Sequence, residues 1–172
     1  MFYFKYFDNP LENAEFIEGE KCQSCGSEEN CLEGVYFNEH DDVVSACLSC
    51  LKEGLIRVDI PDYIRKEIKG SDKFDKIDEL ERTPPVPWIQ YNEWPVCCND
   101  FTKYIGEWGR GRLIKESQDG NGLNYLLSIL LQDIKERIVN EKNFWSEIGN
   151  LIAIYVFECQ TCSKRIAVSQ SY

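Results

Sequence analysis

The sequence predicts an α+β fold, and three observations carry that expectation. Cys-x-x-Cys pairs stand at Cys22/Cys25, Cys47/Cys50 and Cys159/Cys162. In GLNYLLSILLQDIKERIVN, residues 122–140, Leu123, Leu126, Leu127, Leu130, Leu131, Ile134 and Ile138 recur at helical spacing. The C-terminal stretch NLIAIYVFECQTCSKRIAVSQSY sets the third cysteine pair between two strand-like runs. The expected architecture is a small β-rich, zinc-ribbon-like lobe over residues 1–58. Helical segments and a C-terminal zinc-knuckle β-hairpin follow, with residues 59–172 packed as one unit.

Taken in order, the elements rest on local chemistry. Gly26 directly after the second cysteine of CQSCG suits the tight turn of a knuckle. GVYF (34–37) and VVSAC (43–47) read as two short strands around the polar loop NEHDD. CLKEGLI, from Cys50, reads as a helical turn stopped by Gly54. Residues 61–82 predict two short charged helices around Gly70 and Ser71, with Pro61 suited to a first turn. Pro84, Pro85 and Pro87 exclude helix from RTPPVPW. NDFTKYIGEWG (99–109) predicts a short helix capped by Asn99 and ending near Gly106. GRGRLIKESQDGNG (109–122) reads as a Gly-rich loop, and 122–140 as a core helix.

Two cysteines separated by two residues on a turn supply half of a tetrahedral zinc site. Cys22, Cys25, Cys47 and Cys50 have ribbon-like spacing and form the first expected centre. Redox pairs would need a thiolate-stabilising helix N-terminus, and no βαβ pattern surrounds these motifs. Cys159 and Cys162 lack a third Cys-x-x-Cys partner, so the second expected centre combines them with Cys98 and Cys97. Neighbours in an extended chain point to opposite faces, so this set requires a turn at 97–98. Cys31 is the reserve ligand, and a buried small side chain is its expected role. His40, among Glu39, Asp41 and Asp42, reads as a solvated histidine. Two Zn²⁺ ions are expected. Four cysteines per ion leave no open ligand position, which suits a structural rather than a catalytic centre.

The formal net charge of −11 is unevenly spread. Residues 1–44 carry eleven acidic and two basic side chains, a net of −9. Such a field disfavours nucleic acid and anionic lipid and attracts cationic partners. The N-terminus lacks the pattern of a signal peptide, and no apolar run is long enough to span a bilayer, so a cytoplasmic location is expected.

The order of motifs resembles the CbrC family of bacterial proteins, named for a colicin-tolerance protein. FKYFDNPLENAEF, CQSCG, CLSCLKEG, RTPPVPWIQYNEWPVCCNDFTKYIGEWG and VFECQTCSKRIAV carry the resemblance over nearly the whole chain. It implies zinc-binding Cys-x-x-Cys pairs and a recurrent cysteine at Cys98. It also implies a position at Cys97 where histidine often stands, so that one ligand type replaces another. It further implies a link to surviving bacteriocins, and supplies no enzyme activity.

Function classes follow from this inventory. A non-catalytic protein that binds a basic toxin domain is the leading expectation. Glu28, Glu29, Glu33, Glu39, Asp41 and Asp42 would form the contact surface, with Tyr36 and Phe37 as aromatic anchors. The alternative is a zinc-ribbon module for transcription machinery or nucleic acid. It rests on Arg110, Arg112, Lys115 and Trp108, a weak basic footprint in so acidic a chain. Catalysis is not expected: there is no Ser-His-Asp order, no HExxH and no phosphate-binding loop.

Overall fold

A computed structural model of the chain describes residues 1–34, 37 and 43–172. Its centre is a three-stranded antiparallel sheet of order β5-β6-β7. β5 is Lys103–Glu107, β6 Ile152–Glu158 and β7 Arg165–Ser171. β6 and β7 pair without interruption from Ile152↔Ser171 to Glu158↔Arg165, which makes the expected C-terminal hairpin. Ala153 through Phe157 of β6 are all buried, as a strand covered on both faces should be.

Both outer edges of this sheet are occupied. The Tyr104 N–H donates to the Tyr6 carbonyl and the Asp8 N–H to the Tyr104 carbonyl, each at 2.8 Å, so the N-terminal segment lies along β5. On the far side the Leu131 N–H donates to the Ala167 carbonyl at 3.0 Å, with Leu130 bridged to Ala167. Contacts of this kind cover part of each edge. Gly106, at φ 122°, shifts the β5–β6 register, and a Cβ there would sit 2.8 Å from Asn13 Oδ1.

The core gathers aromatic rings around β6. Trp88 stacks on Phe157 with centroids 5.9 Å apart, and meets Tyr155 edge-on at 5.0 Å. Trp94 meets the same Phe157 at 5.5 Å. The proline-rich strap holds these tryptophans in place. Pro84, Pro85 and Val86 are buried, and the Tyr155 hydroxyl donates to the Pro87 carbonyl at 2.7 Å. The strap is not helical, as its prolines require.

Smaller elements frame the sheet. α1 is Pro10–Asn13, and the β1 (Cys31–Glu33) and β2 (Ser45–Cys47) hairpin leads into α2 (Leu48–Lys52). α2 starts two residues before Cys50 and ends where Gly54 takes φ 75°. The first strand falls ahead of GVYF; of that stretch only Gly34 and Phe37 are described, and Phe37 bridges to Val58. α3 (Asp62–Arg65) and α4 (Lys73–Glu81) are the two charged helices expected around Gly70. Arg57 clamps α4 through Asp78 at 2.6 Å and Glu81 at 3.0 Å.

Three expectations require correction. Residues 99–109 are strand, not helix: β4 (Asp100–Phe101) pairs with β3 (Val96–Cys97), and β5 follows. Tyr104 and Gly106 are buried while Lys103, Ile105 and Glu107 are less so, an alternation of the kind a sheet imposes. Residues 109–122 are not a loop throughout. α5 (Arg110–Glu116) forms there, with Leu113 buried and Arg112 paired to Glu116 at 2.9 Å. The 122–140 helix is broken into α6 (Gly122–Ile129) and α7 (Gln132–Glu136). Leu130 and Leu131 take extended angles because β7 offers their backbone a partner at Ala167. A further helix, α8 (Glu141–Glu147), is capped by the Asn140 side chain, which accepts from the Asn143 N–H at 3.0 Å.

Gly122, at the start of α6, packs against Ile114 of α5 and Trp145 of α8. A Cβ there would lie 2.6 Å from Trp145 Cη2 and 2.9 Å from the Ile114 backbone nitrogen. Gly122→Ala is therefore expected to destabilise the fold by roughly 1–3 kcal/mol, the range for overpacking a buried site. The readout is a lowered urea midpoint at unchanged slope. An unchanged midpoint would show that the helices separate at no cost.

Candidate metal centres

The first cluster is built by one knuckle and one strand-to-helix junction. The Gly26 N–H donates to the Cys22 carbonyl and the Cys22 N–H to the Ser27 carbonyl, both at 2.8 Å, which closes the turn that carries Cys22 and Cys25. Gly26, at φ 75°, sits where only a residue tolerant of the left-handed region fits. β2 delivers Cys47, and the first turn of α2 delivers Cys50. The Gln23 side-chain oxygen accepts from the Val44 and Ser45 N–H groups and ties the knuckle to β2. All four sulfurs lie within 4.8 Å of one another, and Cys25 Sγ is 3.7 Å from Cys47 Sγ.

The second cluster joins two hairpin tips. β3 and β4 are linked by Cys98 and Asn99, at φ 52° and 55°, the pair of left-handed residues that a tight hairpin turn demands. This turn overcomes the alternation that would send neighbouring side chains apart, and Cys97 and Cys98 converge. Asn99 is the anchor of the turn rather than a helix cap. Its side chain accepts from the Lys69 N–H at 2.9 Å and donates to the Lys69 carbonyl at 2.8 Å. The β6–β7 tip supplies Cys159 and Cys162, closed by the Ser163 N–H donating to the Cys159 carbonyl at 2.9 Å. The four sulfurs again lie within 4.8 Å; Cys97 Sγ is 3.7 Å from Cys162 Sγ and 3.9 Å from Cys98 Sγ.

These spacings suit zinc. Zn–S bonds of about 2.3 Å in a tetrahedron put sulfurs about 3.8 Å apart, whereas a disulfide would bring two of them to about 2.05 Å. All nine cysteines are free thiols. The titration of the clusters points the same way. Burial raises the Cys22 thiol, but N–H groups of Cys47, Cys25 and Ser24 outweigh it and bring the pKa to about 6. Burial likewise opposes, and the N–H groups of Cys162 and Thr161 prevail, at Cys159, which falls to about 7. Their neighbours move the other way. Burial and the adjacent sulfurs push Cys97 up to about 12 and Cys50 well above its usual range, and burial raises Cys47. The sulfur of Cys162 raises Cys98. Cys22 and Cys159 are thus the thiols most readily ionised, and a cation among the sulfurs would favour the thiolate form of their raised neighbours.

The remaining sequence-predicted residues are distributed as follows. Cys31 is buried on β1 opposite Cys47, and its Sγ donates to the Ser27 carbonyl at 3.2 Å. It lies beside the first cluster, outside both four-sulfur groups. Glu28 is exposed and paired with Lys21 at 3.1 Å; Glu29 and Glu33 are exposed. Phe37 is buried, so it is not the exposed anchor expected of it. Tyr36, Glu39, His40, Asp41 and Asp42 lie outside the described residues. Arg112 and Arg165 lie over the buried Trp108 ring at 4.9 and 5.2 Å and share Glu116 as ion-pair partner, while Arg110 and Lys115 are exposed. The sequence reading missed Asn99 as the anchor of the second centre; the signal available was a CCN triplet able to form a two-residue hairpin turn.

Fold and site together define a small α+β protein with two four-cysteine groups able to hold metal. The chain belongs to the family described as UPF0167, an uncharacterised protein family, whose model matches residues 1–170. Among curated proteins it is similar to UPF0167 protein PA1536 of Pseudomonas aeruginosa. The two are 25% identical over 175 residues, covering 94% of this chain and 92% of the relative. No solved structure matches the chain significantly. Among the described residues, no helix is long and apolar enough to cross a membrane.

Elemental analysis of protein purified without chelator is expected to give about two zinc per chain. Cys50→Ser should remove the first and Cys98→Ser the second, each independently, whereas Cys31→Ser should keep both. Because protons compete with zinc for each thiolate, the metal should be lost as pH falls and regained as it rises. Retention of two zinc in Cys50→Ser would remove that residue from the ligand set.

Proposed function

We propose that this is a zinc-binding protein that acts by protein–protein contact and without catalysis, in tolerance of or immunity to a bacteriocin or related toxin. The partner is a basic toxin domain, met in the cytoplasm. The observation that carries this reading is that each metal-competent group is made of four cysteines. Such a set fills a zinc tetrahedron and leaves no position for water or substrate, so the ions staple the fold.

Two further features support it. The −9 charge of residues 1–44 would steer a cationic partner, raising the association rate more than the final affinity. The motifs at residues 4–16, 82–109 and 156–168 resemble those of the CbrC family, whose name refers to colicin tolerance. A toxin nuclease is basic because its substrate is a polyanion, which makes it a fitting target for an acidic inhibitor.

The test begins with capture from host cells by the zinc-loaded protein. Replacing Glu39, Asp41 and Asp42 with Lys should then slow association with the captured basic partner and flatten its salt dependence. Zinc content and melting should stay as in the wild type. Glu28→Lys with Glu29→Lys should act in the same direction. Unchanged association in both variants would overturn the acidic surface as the contact. A cleft of ≈390 Å³ lined by Tyr63, Trp88, Tyr91 and Trp94 would then be the next surface to probe.

A further inference from the structure

The two clusters differ in what shields them. In the first, Cys22, Cys47 and Cys50 are 2%, 4% and 3% exposed, and only Cys25 reaches solvent. In the second, Cys159 alone is buried; Cys97 is half-buried, and Cys98 and Cys162 are exposed. The first is closed over by Ile17 and Ile56, while the second sits at two hairpin tips. Those tips are distant in sequence and meet through the sulfurs, with Cys97 Sγ 3.7 Å from Cys162 Sγ. A bond between these two sulfurs needs an approach of less than 2 Å and would preserve the junction that the metal makes.

We propose that the second cluster is an oxidation site for a small hydroperoxide, which converts Cys97 and Cys162 to a disulfide and expels zinc, while the first cluster keeps its metal. This rests on the zinc reading above. In the balanced sequence, the exposed Cys162 thiolate attacks the O–O bond of hydrogen peroxide. It becomes a sulfenic acid, and hydroxide leaves. The Cys97 thiolate then attacks the Cys162 sulfur, forms the S–S bond and displaces a second hydroxide. The two sulfurs together lose two electrons, the peroxide gains them, and two protons from solvent turn the hydroxides into two waters. Zinc, left with Cys98 and Cys159, dissociates as these take up protons. Metal-bound sulfurs are already thiolates, so the degree of access orders the two centres: the second presents exposed Cys98 and Cys162 and half-buried Cys97, whereas the first presents Cys25 alone, with its neighbour Cys47 buried.

The experiment uses the full zinc-loaded chain, titrated with hydrogen peroxide in the presence of a chromophoric zinc indicator, followed by peptide mapping. Two zinc per chain at the start, one released by one equivalent of peroxide, and a cross-link between Cys97 and Cys162 are expected. Dithiothreitol followed by zinc should restore the starting state. Release of both ions together, retention of both, or release with only sulfinic and sulfonic acids overturns the proposal. Fewer than two zinc before peroxide is added overturns the metal reading, and this proposal with it.

Discussion

Four cysteine sulfurs held within 4.8 Å of one another cannot all ionise unless a cation stands among them, and this constraint governs much of the molecule. At each cluster the backbone turns have already been shaped so that amide N–H groups favour one thiolate: Cys22 in the first, Cys159 in the second. Cys50 and Cys97 are pushed upward by burial and by their neighbours. A divalent ion held there would reverse that balance, and its binding free energy would then become part of the folding free energy. The two clusters also set which segments can approach one another. One ties the knuckle at residues 22–25 to the β2–α2 junction, and the other ties the 97–98 turn to the β6–β7 tip.

Between the two clusters, the aromatic packing on β6 supplies the rigidity. Phe157 lies against Trp88, Trp94 and Tyr104, and one residue further on β6 ends and hands the chain to Cys159. The second centre is thus seated directly on the core. Trp94 lies on the same β6 core and leads, through Pro95, into the strand that carries Cys97. Each aromatic pair contributes about 0.5–1.5 kcal/mol beyond its buried area. That is enough for several such pairs to hold two hairpin tips in register for a metal.

Charge is distributed unevenly over this scaffold. The ion pairs on its helical side, such as Arg57 with Asp78 and Arg165 with Glu116, are half-exposed and internally matched. Each such pair cancels its own charge, while Arg110 and Lys115 on α5 stay exposed. The unbalanced charge lies in residues 1–44.

The cysteine pairs were legible from sequence because a knuckle is a local object, set by two residues of spacing and, at Cys22 and Cys25, by a following glycine. The same holds for the proline strap and for the terminal hairpin, whose two apolar runs flank a turn. Which cysteines completed the second set was legible only in part. Cys97 and Cys98 are adjacent, and it took the left-handed turn at Cys98 and Asn99, anchored on Lys69, to aim both sulfurs one way. The helical period of residues 122–140 was real, but Leu130 and Leu131 left the helix because β7 offered their backbone hydrogen bonds at Ala167. Residues 99–107 could have satisfied a helix cap and stop. They became strand because β6, more than forty residues away, presented a ladder to pair with. The sequence by itself determined the chemistry of the sites and the turns that bear them, since these depend on near neighbours. The tertiary structure alone decided which backbone groups found partners across the sheet, and hence where helices stopped and which sulfurs are open to solvent.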